Sequence, residues 1–258
     1  MSTSSLVELA GIELSFGRSH VLRNLSCKVP QARITGLVGD NGAGKSTLIK
    51  LITGLYRPDQ GEYLFDGKLV HLRSPGDAQK LGIETVFQDL ALVDEMSVSR
   101  NFFLGREPTR KVGPFRLLDR KRMEEESAAA LKKIGVRVRA SGDNVAELSG
   151  GERQALAIGR SLHFGSRLLI LDEPTSALSL KETNRTLDTM RAAREKGLTI
   201  LFITHNLYDM LAVCDHFIVL NLGKVVAELS RSEASLEKLS HLIRGEEDAH
   251  HEEHAVTV

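Results

Sequence analysis

Residues 39–47 read Gly-Asp-Asn-Gly-Ala-Gly-Lys-Ser-Thr and follow the β-like run Arg33–Val38. The spacing G-x-x-x-x-G-K-[ST], set between a strand and a helix, suits a triphosphate. Phosphate oxygens need many converging backbone N–H donors, and glycines let a chain curl tightly around an anion. The following helix, expected from about Gly44 to Leu55, adds unpaired N–H groups and the positive end of its dipole. Gly39, Asp40, Asn41, Gly42, Ala43, Gly44, Lys45, Ser46 and Thr47 are therefore candidate ATP-binding residues. Lys45 offers a point charge to the β- and γ-phosphates, Ser46 a hydroxyl to Mg²⁺, and Thr47 support from beside them.

Four further groups narrow the chemistry. Leu168–Leu171 is an apolar strand that ends in Asp172-Glu173-Pro174. Asp172 at such a tip can hold Mg²⁺, and Glu173 can polarise a water for in-line attack on a γ-phosphate. An acidic strand end facing solvent is the plain alternative. Leu148-Ser149-Gly150-Gly151-Glu152-Arg153-Gln154 precedes a helix expected from Ala155 to Leu162, a second glycine-rich helix start. One ATP does not need two such cradles from one chain, so Ser149, Gly150, Gly151 and Glu152 point to a nucleotide held by another subunit. Ser149 and Glu152 also fit a capped helix start. His205, after the strand Leu198–Thr204, is placed to contact a γ-phosphate. Gln88, after the strand Ile83–Phe87, offers an amide to Mg²⁺ and to the attacking water.

These residues require a particular set of elements. Leu168–Leu171 and Leu198–Ile203 are continuous apolar runs, as in parallel strands covered on both faces. A helix from about Leu180 to Lys196 links them and stops before Gly197. Near the start, Val7, Leu9, Ile12, Leu14 and Phe16 alternate as in antiparallel strands, with Gly11 where the register breaks. Asp66-Gly67 and Asn221-Leu222-Gly223 mark hairpins, and Ser74-Pro75 opens a short helix. Between about 88 and 150 strand signals fade, and Lys121–Ile134 reads as a charged helix with Met123, Leu131 and Ile134 as apolar points. The expected fold is α/β: a phosphate-loop NTPase core with a mostly parallel sheet, an N-terminal antiparallel β subdomain and an inserted α-helical subdomain.

Composition sets outer limits. The 258 residues are 41% hydrophobic and 26% charged, and 34 basic residues balance 34 acidic ones. That balance argues against a broad nucleic-acid-binding face. Cys27 and Cys214 lack metal-ligand spacing and read as reduced core residues of a cytosolic protein. No run is apolar enough to span a bilayer, and Met1–Ser5 lacks the features of a signal peptide. In the tail, Glu246-Glu247-Asp248 and His250-His251-Glu252-Glu253-His254 lack any apolar anchor. Residues 246–258 are expected to be disordered, rather than a metal site built on His250 and His254.

The phosphate loop, Gln88, LSGGE at 148–152, Leu-Asp-Glu-Pro at 171–174 and His205 come in the order found in ATP-binding cassette (ABC) ATPases. The resemblance covers residues 5–245. It implies that two copies pack head-to-tail around two ATP molecules, each lying between one phosphate loop and the other copy's LSGGE. It also implies that helices of a membrane permease rest near the Gln88 loop, at the cytoplasmic face of the membrane. An aromatic residue near the N-terminus stacks on adenine in this family. Phe16 stands at that place and equally suits a strand core. The stretches Gln88–Val98, Asn101–Glu107 and Ile203–Asp209 are similar to ATPases of ribose, xylose and fructose importers. The single cassette resembles the fructose type, which implies a homodimer served by an extracellular or periplasmic sugar-binding protein. A soluble ABC ATPase acting in translation or on DNA, and an importer for a non-sugar solute, are the alternatives. One departure is Ser179, where the family usually has an aspartate that helps couple the two sites. Serine keeps a hydrogen-bonding group without the charge, so activity is expected to survive with altered communication.

Overall fold

Strand runs such as Leu168–Leu171 point alternate side chains into two different apolar layers, which is possible only in the middle of a sheet with cover on both faces. The structure, a computed structural model, describes residues 4–86, 90, 92–134 and 144–245. The chain opens with β1 (Ser5–Phe16), β2 (Ser19–Pro30), β3 (Ile34–Gly39), α1 (Lys45–Ile52), β4 (Gln60–Phe65) and β5 (Lys68–Leu69). It continues through α2 (Pro75–Lys80), β6 (Ile83–Val86), α3 (Val98–Phe102), β7 (Thr109–Val112), β8 (Phe115–Leu118) and α4 (Arg120–Lys133). A 3₁₀ turn at Val145–Glu147 leads into α5 (Gly150–His163), β9 (Leu168–Asp172), α6 (Leu180–Glu195) and β10 (Thr199–Ile203). The last elements are α7 (Leu207–Val213), β11 (His216–Asn221), β12 (Lys224–Ser230) and α8 (Leu236–Arg244).

Six strands form the central sheet in the order β12-β11-β3-β10-β9-β6. All its pairings are parallel except that of the edge strand β12 with β11. A second, antiparallel sheet runs β2-β1-β4-β5. Leu168, Ile170, Leu201 and Ile203 join the core beneath that second sheet and α1. Leu169, Leu171, Ile200 and Phe202 join the core on the other face, with Leu187 and Met190 of α6. A third core gathers Val98, Phe102, Phe103, Met123, Leu131, Ile134, Val145 and Leu156. Met123, Leu131 and Ile134, the expected apolar points of the charged helix, are thus its buried face. The expected α/β architecture is what the structure shows.

Several boundaries differ from expectation for local reasons. Helix α1 stops at Ile52, short of Leu55, because Gly54 turns the chain at φ 73°. Helix α5 begins at Gly150 rather than near Ala155, because the Ser149 hydroxyl and the Glu152 carboxylate cap it reciprocally. The stretch before α4 is not purely helical: β7 and β8 form a two-stranded hairpin around Gly113-Pro114. The pairing of β1 slips at Gly11, as its sequence suggests. Asp66-Gly67 and Leu222-Gly223 turn their hairpins with positive φ. Both cysteines are free and buried. His250 and His254 of the tail lie outside the described residues.

Gly39 ends β3 beside Leu220 of β11 at φ 155°, and a Cβ there would lie 2.4 Å from the Leu220 carbonyl oxygen. Gly39→Ala is expected to lower stability by about 2 kcal/mol or more, because backbone has to move. Urea unfolding of the two proteins checks this; coincident curves would contradict the close β3–β11 approach.

Candidate active site

Strands β3, β10 and β9 are neighbours and parallel, so their C-terminal ends share one edge of the sheet. Ile203 stands level with Leu37 on one side and with Asp172 on the other. The loop after β3, the Thr204-His205 step after β10 and the Asp172-Glu173 pair therefore meet. Loops at the carboxyl ends of parallel strands are where such sheets build ligand sites. Here they line a cavity of about 530 Å³, together with Val21 of β2 and Ile203.

Of the nine loop residues, all but Ala43 line this cavity. Ala43 is buried and instead accepts a hydrogen bond from the Gly223 amide at 3.0 Å. Gly223 in turn accepts one from the Arg23 amide at 2.9 Å, so the phosphate loop is braced by the β11–β12 hairpin. The Lys45 ammonium donates to the carbonyls of Gly39 (2.6 Å) and Asp40 (2.9 Å) and spans the mouth of the loop. Burial holds this ammonium below the ordinary lysine range, against the opposing pull of Asp40, Glu173 and Asp172. The loop thus carries a half-buried positive charge that an arriving anion would stabilise.

Glu173 has φ 53°, a left-handed conformation uncommon for a residue other than glycine. The support comes from β10. The Glu173 amide donates to the Ile203 carbonyl at 2.9 Å. Its carboxylate accepts from the Thr204 hydroxyl (3.2 Å) and the His205 amide (3.1 Å), and lies 3.0 Å from His205 Nδ1. The imidazole itself is largely exposed and reaches outward from this anchor. Thr204, which sequence reasoning passed over, is therefore a second holder of the Glu173 carboxylate. The signal was a small hydroxyl residue between a buried strand and a histidine.

Asp172 sits one residue earlier, at the end of β9. Burial, together with the Glu173 charge, pushes its carboxyl up, while Lys45 pulls it back. Two neighbouring carboxylates, offset by one lysine, form a place where a further cation is favoured. Among the described residues no three His, Cys, Asp or Glu side chains cluster as a metal cage. That donor set fits Mg²⁺, which takes one or two protein oxygens and fills the rest of its shell with water and phosphate. Ser46 and Asp172 are among the cavity-lining residues with side-chain oxygens that could hold it.

Ser149, Gly150, Gly151 and Glu152 do not line the cavity. They form the first turn of α5, packed on the segment before α6. A Cβ at Gly150 would lie 2.4 Å from Leu178 Cδ2, so the close approach of that segment excludes a side chain. Ser179 caps α6: its hydroxyl bonds the Glu182 carboxylate at 2.7 Å and accepts from the Glu182 amide at 3.4 Å. Hydrogen bonds from the Ser179 hydroxyl and amide, then from the Gly151 and Gly150 amides, hold the Glu182 carboxyl below its usual range. Phe16 lies outside the cavity lining, half exposed, with its ring 4.9 Å from that of Tyr56 in an edge contact. Gln88 lies outside the described residues.

The family described as ABC transporter matches residues 22–176. The chain is 40% identical to the xylose/arabinose import ATP-binding protein XylG of Sulfolobus acidocaldarius, over 93% of this chain and 94% of that one. It is also 40% identical to the fructose import ATP-binding protein FrcA of Rhizobium meliloti, over 87% and 88% of the two chains. It spans about half the length of the ribose import relatives it matches. Among solved structures it is similar to MJ1267, an ATP-binding cassette of an ABC transporter in its ADP conformation. There the TM-score is 0.78 at 26% identity, with 93% and 95% of the two chains covered. A phosphate loop, an acidic strand end and a histidine meeting at one sheet edge, in a chain matched over most of its length, leave one assignment: this chain belongs to the ABC transporter family, as an ATP-binding cassette.

Proposed function

We propose that this ATPase powers the import of a small sugar through separate membrane permease subunits, working as a dimer of two copies around two Mg·ATP. The observation that carries the ATPase chemistry is the convergence of Lys45, Ser46, Asp172, Glu173 and His205 on one cavity. Lys45 and the loop amides bind the β- and γ-phosphates. The Glu173 carboxylate takes a proton from the water that attacks the γ-phosphorus, as the bond to the leaving ADP oxygen breaks. His205 and Thr204 keep that carboxylate aimed. Mg²⁺, held by Ser46 and Asp172, with Gln88 as a further contact, would neutralise charge on the phosphates. Phe16 offers a ring face to adenine. Net charge is zero, which supports a protein partner rather than nucleic acid.

Dimerisation is supported by where the second glycine-rich turn lies. Ser149, Gly150, Gly151 and Glu152 sit outside the cavity that holds the phosphate loop. Their helix start therefore serves the nucleotide of a second copy. No helix among the described residues is long and apolar enough to cross a membrane. A peripheral place on the cytoplasmic face, beneath the permease, follows from the importer reading. The relatives named for xylose/arabinose and fructose import support a sugar as the solute, delivered by a sugar-binding protein.

Glu173→Gln is expected to lower turnover at least a hundredfold while ATP binding persists and the ATP-bound dimer accumulates. Single-turnover hydrolysis and size-exclusion chromatography with ATP measure both; wild-type turnover would remove Glu173 as the base. Ser149→Arg should impair hydrolysis while each copy still binds a fluorescent ATP analogue normally. A full hydrolysis rate in that variant would contradict the shared site. For the solute, the ATPase reconstituted with its permease in proteoliposomes should be stimulated by a binding protein loaded with xylose, ribose or fructose. Stimulation only by a non-sugar solute would overturn the sugar reading and leave the ATPase intact.

A further inference from the structure

The β7–β8 hairpin takes no part in the nucleotide site, yet its composition is unusual for a solvated loop. Every residue of both strands is exposed, and Phe115 beside the turn is 69% exposed. A two-stranded hairpin is marginal in water by itself and gains stability when something covers a face. The register sets which side chains share a face. Arg110 opposes Leu117 and Val112 opposes Phe115, so three apolar groups and one arginine lie together. On the other face Thr109 opposes Leu118, and Lys111 directly opposes Arg116. Like charges in that relation repel unless an anion sits between them.

Three nearby acids are engaged by other cations, while Glu107, Asp119 and Glu124 form no ion pair among the described residues. Glu107 accepts from the Gly105 amide, and Asp119 caps α4 through the Arg122 amide. Glu84 pairs with Arg106, Glu125 with Lys121, and Glu126 with Arg122. Among the described residues this leaves Arg110, Lys111, Arg116 and Arg120 with no acidic partner. Three cations without an ion pair and an exposed apolar set occur in one short arm, with Arg120 following it at the start of α4. The arm also springs from a fixed root. Arg106 bonds Glu84 at 2.9 Å and lies over the Phe164 ring at 4.7 Å. Leu104, Gly105 and Arg106 form part of the rim of a groove of about 550 Å³, floored by Ala157 and Phe164.

We infer that the β7–β8 hairpin binds the interface of a bilayer that contains anionic lipid. Arg110, Lys111, Arg116 and Arg120 engage the headgroup phosphates, while Val112, Phe115 and Leu117 enter the boundary with the acyl chains. A purely acidic protein surface would satisfy the cations but leave Phe115 and Leu117 in water. A neutral apolar groove would do the reverse. Approached turn first, the anionic interface takes Val112 and Phe115 at the acyl boundary while Lys111 and Arg116, one residue back on each strand, reach the headgroups. This deepens the proposed membrane placement, but lipid binding by the isolated chain does not depend on a permease.

Flotation of the purified full chain with vesicles tests it. Phosphatidylcholine vesicles with phosphatidylglycerol should carry the protein upward, and pure phosphatidylcholine vesicles should carry little. High salt should weaken the binding, since exposed charges are screened. The triple variant Arg110→Glu, Lys111→Glu, Arg116→Glu should lose about tenfold or more of its vesicle partitioning, and Phe115→Ser a smaller part. Both should keep the wild-type ATPase rate, which shows that they are folded. Lys68→Glu, on the unrelated β4–β5 hairpin, should bind vesicles as the wild type does. Equal flotation with both vesicle types, no flotation, or unchanged flotation of the triple variant would overturn the inference. So would a triple variant that floats normally but no longer copurifies with its permease in detergent, since the arm would then be a protein contact. Because the ATPase rate is read separately, failure of lipid binding leaves the transport reading standing.

Discussion

The site depends on one register. Ile203 must stand level with both Leu37 and Asp172, because only then do the phosphate loop, the acidic pair and the Thr204-His205 step reach the same edge. Backbone hydrogen bonds fix this alignment, and the packing of alternate strand residues into two separate cores protects it. A slip of one residue would exchange Leu201 and Ile203 with Ile200 and Phe202, burying each set against the wrong layer. The catalytic geometry therefore inherits its precision from hydrophobic burial far larger than any contact in the site itself. Glu173 shows the result. Its left-handed backbone is unfavourable alone and is held by four hydrogen-bonding contacts from β10 and its tail.

Electrostatics then decides what the cavity prefers. Lys45 is held below the ordinary lysine range by burial, and Asp172 above the ordinary aspartate range by burial and by Glu173. Each group is thus less comfortable in its charged form than in water, and each gains when opposite charge arrives. A polyphosphate would compensate the lysine, and a divalent cation would compensate the aspartate. The two ligands are complementary to each other as well as to the protein.

The central sheet was legible because its strands are continuous apolar runs bounded by chemically distinctive ends. Gly39–Thr47, Asp172-Glu173 and His205 could be read one at a time, and the sheet order explains their meeting. Features set by three-dimensional contact were less visible. Thr204 gains a role only because Glu173 turns back toward β10. The start of α5 was misplaced because glycines weigh against helix in a local reading, whereas the Ser149–Glu152 cap and packing on Leu178 outweigh that preference. The β7–β8 hairpin escaped notice because its strands have four residues each and no buried face to impose alternation.

The separation of the two glycine-rich turns has a further consequence. The phosphate loop gains rigidity from Gly223 and the β11–β12 hairpin. The Ser149 turn is braced differently, by Leu178 and by Glu182, whose carboxylate the Gly150 and Gly151 amides help to hold. Those same amides are the donors that an incoming phosphate from a second copy would need. Ser179 lies at the centre of this arrangement, bonded to Glu182 through its hydroxyl. An aspartate there could also cap the helix, but its charge would face the Glu182 carboxylate across a hydrogen-bond distance and repel it. Serine at 179 donates to Glu182 through its hydroxyl, which an ionised aspartate cannot do. The departure from the usual family residue is physically tied to a neighbour on the same capping turn.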